Sequence, residues 1–174
     1  MYLSSSYSGR QTTKSTQAPP TYYFNVRPGS MYTLIMLDSD APHQNSPWLH
    51  MLYINITDPR NIKPANIITS YCLGRRPGNP SPPPRSGRHH YITTLYEQRH
   101  PIYGQPTIGD WGRPHFDVGR FVAKYGLRPV ASTQFFVDAA RQGGRTRRRC
   151  VNRSKKTLKN EEKRGRIWKK LTLT

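Results

Sequence analysis

The stretch "MLDSDAPHQNSPWLHMLYIN", residues 36–55, decides how the chain is read. Two apolar runs flank it, and between them stand two aspartates one residue apart, a proline, and a tryptophan and histidine at the entrance of the second run. Carboxylates and imidazoles are costly to bury beside apolar residues unless something satisfies them. The segment is therefore either a solvated turn leading into a strand or one wall of a polar pocket. Upstream, "MYTLIMLD" (31–38) is a short apolar run bounded closely by turn residues, which predicts a buried strand rather than a helix. Downstream, "WLHMLYINI" (48–56) reads the same way.

Working outward, "TYYFNV" (21–26) is aromatic and β-branched and precedes an "RPGS" turn. "ANIITSYCL" (65–73) predicts another strand or its approach. "RRPGNPSPPPRSG" (75–87) suits neither a helix nor a central strand, because proline removes backbone donors and fixes φ. "RHHYITTLYEQ" (88–98) is a strand rich in Tyr, Ile and Thr. In "FDVGRFVAKYGL" (116–127), Phe116, Phe121, Val122 and Tyr125 fall near helical spacing and Gly126 is the stop. "VASTQFFVDA" (130–139) predicts a last strand. Many short strands, frequent turn signals and one short helix indicate a mainly β domain.

Composition bounds the organisation. The chain has 174 residues, long enough for one domain with a true core, and its 16 prolines and 13 glycines imply many loops. Residues 1–20 are Ser/Thr-rich without periodicity and are expected to be a disordered leader. Residues 21–139 form the expected domain and 140–174 a basic tail, disordered or partly helical. The formal charge is +19, and fourteen Lys or Arg against two Glu in residues 141–174 place +12 of it in the tail. Such a polycation favours an anionic partner, whether nucleic acid, an acidic membrane surface or an acidic protein. Arg145, Arg147, Arg148, Arg149, Lys155, Lys156, Lys169 and Lys170 are the candidate polyanion contacts. The same residues fit a nuclear localisation patch, a membrane-surface anchor or a solvated extension.

The two cysteines, Cys72 and Cys150, make no disulfide framework and match no metal-ligand spacing, and the N-terminus has no apolar signal core. Two sequons, at Asn55 and Asn152, matter only in a secreted chain. No apolar run approaches membrane-spanning length. A reduced, cytoplasmic or nuclear protein is expected, with no cofactor and no metal.

Three strand margins carry polar groups: Asp38 and Asp40 with Pro42, Trp48 and His50, and His89 and Tyr91. His89 and Tyr91 are two apart and share a strand face, as do Trp48 and His50. An aspartate, two histidines and a tyrosine can gather as donors and acceptors around a small anion, with aromatic and proline walls. Turn aspartates in solvent and strand histidines bonded to backbone are the plainer alternative.

The order of "YTLIMLDSDAP", "WLHMLYIN", "PPPRSGRHHYITTLYEQ" and "FDVGRFVAKYGL" resembles the phosphatidylethanolamine-binding protein family, which includes Raf kinase inhibitor proteins and plant flowering regulators. The matching marks are Asp38-Ser39-Asp40-Ala41-Pro42, Trp48-Leu49-His50 and Gly87-Arg88-His89-His90-Tyr91, within about residues 21–138. The resemblance implies an antiparallel β fold with a large central sheet and a small solvent-open pocket for phosphate-like anions and phospholipid head groups. Carried over, Asp38, His50, His89 and Tyr91 line the anion site, Pro42, Trp48 and Pro83 form its walls, and Asp40 holds the turn. Ser39 stands where the family usually has proline and His90 where it has arginine. Family members usually carry further β structure before the match to "TYYFNV". Beyond Ala139 the family's usual ending is not matched, so the helix that packs near the pocket mouth in animal members has no counterpart, implying a more open pocket.

No G-x-S-x-G elbow or P-loop occurs, and no nucleophile is expected beside the Asp/His/Tyr group in sequence. The expected function is non-enzymatic: binding a phosphate-bearing ligand and modulating a protein kinase, a protease or another signalling partner. The competing expectation is a structural or nucleoprotein component whose tail grips nucleic acid.

Overall fold

The computed structural model describes residues 1–71 and 79–139. Within them a six-stranded sheet organises the molecule, and three adjacent interior strands are two apolar runs and the Tyr/Ile/Thr-rich strand read from the sequence. These are β4 (Met31–Asp38), β5 (Trp48–Ile56) and β7 (Arg88–Gln98). Around them stand β2 (Gly9–Gln11), β6 (Ile67–Thr69) and β8 (Arg128–Asp138), in the order β2-β8-β7-β4-β5-β6. A separate two-stranded sheet joins β1 (Ser4–Ser5) and β3 (Tyr22–Tyr23), and one helix, α1, spans Val118–Tyr125. The fold is mainly β, as expected. The large sheet is mixed rather than purely antiparallel, because β2 runs parallel to β8 while its other pairs are antiparallel.

Both faces of the sheet are covered, which is why β4 and β5 read as nearly continuous apolar runs. Tyr32, Leu34 and Met36 of β4 join one core with Met51, Tyr91, Leu95 and Phe135. Ile35, from the other face of β4, joins Leu49, Leu52, Ile54 and Phe121. Helix α1 covers that second face. Asp117 caps its N-terminus by accepting from the Arg120 amide at 2.8 Å, and Gly126 ends it in the left-handed conformation (φ 57°), where a glycine meets no side-chain penalty.

The N-terminal twenty residues depart from expectation. Expected as a disordered leader, they carry β1, β2 and a 3-10 turn at Ser15–Gln17. Burial explains the order: Leu3 and Tyr7 enter the first core, the Tyr7 ring meets Phe135 edge-on at 5.4 Å, and Thr16 is wholly buried. Thr16 also donates to the Pro80 carbonyl (3.2 Å), so this segment braces the proline-rich loop. β2 supplies β structure before "TYYFNV", which itself contributes only Tyr22–Tyr23. The strand expected over 65–73 is short, with a 3-10 turn over Pro64–Asn66 leading into β6. Among the described residues no helix is long and apolar enough to cross a membrane.

Candidate functional site

One row of side chains crosses the sheet at the C-terminal end of β4. Trp48 of β5 pairs with Asp38, Asp38 with Tyr91 of β7, and Tyr91 with Phe135 of β8. Residues directly opposite in neighbouring strands share a face, so the row presents an indole, a carboxylate, a phenol and a phenyl ring together. Tyr91 stacks on Phe135 with centroids 5.2 Å apart.

His50 joins this row through an irregularity in the ladder. Met36 pairs with Met51 and Leu37 with Leu49, leaving His50 as the extra residue of a β-bulge. The bulge turns the imidazole toward Tyr91, whose ring it meets edge-on at 5.1 Å. Arg113, wholly buried, holds the bulge in place. Its Nη1 donates to the Leu49 and His50 carbonyls (3.1 Å each) and its Nη2 to the Ser70 carbonyl (2.8 Å). The Leu49 amide donates back to the Arg113 carbonyl at 2.9 Å.

Asp38 is buried because it is satisfied. Its Oδ1 accepts from the Asp40 amide at 3.0 Å, its Oδ2 lies 2.7 Å from His89 Nδ1, and the Tyr91 hydroxyl also bonds to it. Asp40 itself is exposed and holds the turn. The phenol of Tyr91 is pushed well above its usual range, first by burial and then by the Asp38 carboxylate, so it stays protonated as a donor. The other imidazole nitrogen of His89, Nε2, lies 2.8 Å from Ser86 Oγ. His89 is thereby held at both nitrogens.

These groups border a cavity of about 450 Å³ open to solvent. Asp38, Pro42, Trp48, His50, Pro83, His89 and Tyr91, the seven residues named from the sequence, all line it. His90 does not; its ring stacks on Phe136 and bonds to Gln134. The sequence reading missed Asp110, Arg113, Asn79 and Ser81, which also line it, as do Ala41, Asn45 and Pro82. Its one available signal for the first two was an Asp and an Arg three residues apart within the Gly/Pro-punctuated "GDWGRPHF". The eight tail candidates, Arg145 to Lys170, lie outside the described residues.

The site's electrostatics are two-sided. Asp38 and Asp110 contribute carboxylates and Arg113 a guanidinium whose pKa burial lowers. Arg113 Nε is 3.5 Å from Asp110 Oδ1 and, although buried, has no hydrogen-bond partner among the described residues. Among the described residues no group of three or more His, Cys, Asp or Glu side chains is arranged to hold a metal ion.

Comparison with known proteins agrees with this architecture. The sequence model described as phosphatidylethanolamine-binding protein matches residues 2–136. A carboxypeptidase Y inhibitor, solved in complex with its cognate proteinase, superposes with a TM-score of 0.59 at 19% identity, covering 79% of this chain and 83% of that one. A phosphatidylethanolamine-binding protein from Plasmodium vivax superposes with a TM-score of 0.57 at 16% identity, covering 76% and 78%.

Proposed function

The chain belongs to the phosphatidylethanolamine-binding protein family, and on that premise we propose that its cavity binds a phosphate-bearing ligand of the size of a phospholipid head group. The observation that carries the reading is the buried Nε–H of Arg113, a residue of the cavity lining, which makes no hydrogen bond among the described residues although Asp110 Oδ1 lies 3.5 Å away. A buried donor without an acceptor costs about 1–3 kcal/mol, and a phosphate oxygen removes that cost while keeping the charge of the guanidinium in use. The exposed Ser81 hydroxyl adds a neutral donor. Asp38 and Asp110 suit the ammonium end of a zwitterion such as phosphorylethanolamine. Pro42, Trp48 and Pro83 are the apolar walls, and His50 and His89 frame the anion.

In this reading the protein is a binding protein that acts on a protein partner, a protease or a signalling kinase, and ligand occupancy of the cavity regulates that contact. Support for the partner comes from the family and from the inhibitor among its structural neighbours. The test is an NMR titration of the full chain with inorganic phosphate and with phosphorylethanolamine. Saturable shifts at His50, His89 and Tyr91, stronger with phosphorylethanolamine, are expected. Shifts confined to the tail and suppressed by salt would sink the proposal.

That second outcome belongs to a second reading, favoured by the +12 carried by residues 141–174. There the fold is a scaffold and the tail grips nucleic acid without sequence preference.

A further inference from the structure

Asp38, His89 and Ser86 form a continuous hydrogen-bonded chain. Asp38 Oδ2 lies 2.7 Å from His89 Nδ1, and His89 Nε2 lies 2.8 Å from Ser86 Oγ. Asp38 and His89 are buried, at 4% and 1% exposure, while Ser86 is exposed. A buried carboxylate orienting an imidazole, with the far nitrogen on a hydroxyl open to solvent, is the arrangement by which a serine becomes a nucleophile. The backbone around Ser86 is unusual in the same sense. Arg85 before it has φ 66°, a left-handed conformation that costs a non-glycine residue strain, and Gly87 after it has φ 87°. The nucleophile elbow of hydrolases likewise sets its serine on a strained turn, there between a strand and a helix.

We propose that Ser86 is an acyl-accepting nucleophile and that the chain hydrolyses small carboxylic esters through it. The hydroxyl has one proton and two acceptors in reach, the Pro83 carbonyl at 2.7 Å and His89 Nε2 at 2.8 Å. Rotated toward Nε2, it is activated. Ser86 Oγ then forms a bond to the ester carbonyl carbon as its proton passes to His89 Nε2. The bond from that carbon to the alcohol oxygen breaks, and His89 returns the proton to the departing alkoxide. Water adds to the acyl-serine with His89 accepting its proton, the Oγ–acyl bond breaks, and the proton goes back to Ser86 Oγ, releasing the carboxylic acid. Ser86 and His89 are the catalytic residues; Asp38 is a positioning residue that keeps the Nδ1 proton in place. Pro82 and Pro83 of the same loop line the neighbouring cavity and supply an apolar surface for a short acyl group. None of these steps requires an anion in the cavity, so the titration above and the experiment below fail independently.

The experiment treats the full chain with a biotinylated fluorophosphonate, maps the adduct by peptide mass spectrometry, and follows the initial burst of p-nitrophenyl acetate hydrolysis. A single adduct at Ser86 is expected, absent in Ser86→Ala, an exposed substitution whose folding is checked by its amide spectrum. His89→Gln should slow labelling by about 100-fold or more. Asp38→Asn should slow it by a similar factor, with Asp38→Glu recovering part of the rate, a rescue that a purely structural role for the carboxylate would not produce. An adduct that maps elsewhere, no adduct at all in wild type, or labelling undiminished in Ser86→Ala overturns the proposal.

Discussion

Replacing Arg113 with methionine removes one hydrogen bond from each of three backbone carbonyls, those of Leu49, His50 and Ser70. Each is at or beside the bulge that aims His50. Because the guanidinium is fully buried, water does not take its place without opening the site. Arg113→Met should therefore lower unfolding free energy by on the order of 3 kcal/mol in urea denaturation. It should also blunt the phosphate-induced shift of His50. Stability close to wild type would mean that the bulge is held by strand pairing alone. At this scale the sequence was only half legible. Asp38, Trp48, His50, His89 and Tyr91 stood out because their types are unusual beside apolar runs, whereas Arg113 lay among turn residues with no pattern to flag it. Ser86 was passed over although it stands only three residues from His89, because spacing alone does not say that the turn over Pro83–Ser86 folds its hydroxyl back onto the ring.

At the scale of elements, the edge strand β2 is fastened by charge. Asp138 of β8 pairs with Arg10 of β2 and with Arg88 of β7, the latter at 3.1 Å. Hydrogen bonds from Arg10 and then Arg88 hold the Asp138 carboxyl below its usual range. A carboxyl whose folded pKa is depressed contributes stability above its unfolded value of 3.8, and that contribution is lost as pH falls through the folded value. Amide exchange of Gly9–Gln11 should accelerate on acidification below about pH 4 before that of the central strands does, and Asp138→Asn should reproduce the effect at neutral pH. Equal acceleration in β4 and β2 would show instead that the sheet opens as one unit. Strands β4, β5 and β7 have the bounds read from the sequence because their apolar content is dense and their flanking turns are clear. β1 and β2 are not legible as strands, since two or three residues hold no periodicity and their existence depends on partners far along the chain, as in Gly9 opposite Phe135.

For the whole molecule, buried phenols set an alkaline limit. Burial raises Tyr22, Tyr53, Tyr71 and Tyr91 above the usual 10, with Tyr53 pushed up to about 12. Above pH 10 the unfolded chain releases these protons while the folded chain retains them, so the unfolded state is favoured as pH rises. Thermal stability should fall steeply above pH 10, with ionisation of these tyrosines, read by absorbance near 295 nm, coinciding with unfolding rather than preceding it. The tail acts at the same scale through charge. Under the second functional reading, affinity for single-stranded nucleic acid should drop about 300-fold between roughly 50 and 200 mM salt if six or so phosphates are engaged. Removal of residues 140–174 should abolish that affinity. A shallow salt dependence would assign the binding to the folded body instead.

Sequence alone determined the strand-forming runs, the helix with its glycine stop, the charge of the tail, and most of the residue types that border the cavity. Each of these follows from short-range periodicity, turn chemistry or composition, which neighbouring residues carry among themselves. Only the tertiary structure decided that the leader completes the sheet, that His50 is turned by a bulge and Arg113 buried beneath it, and that Ser86, His89 and Asp38 form one chain. Those outcomes depend on pairings between residues far apart in sequence. A buried polar group acquires its partner there only once the surrounding strands are assembled.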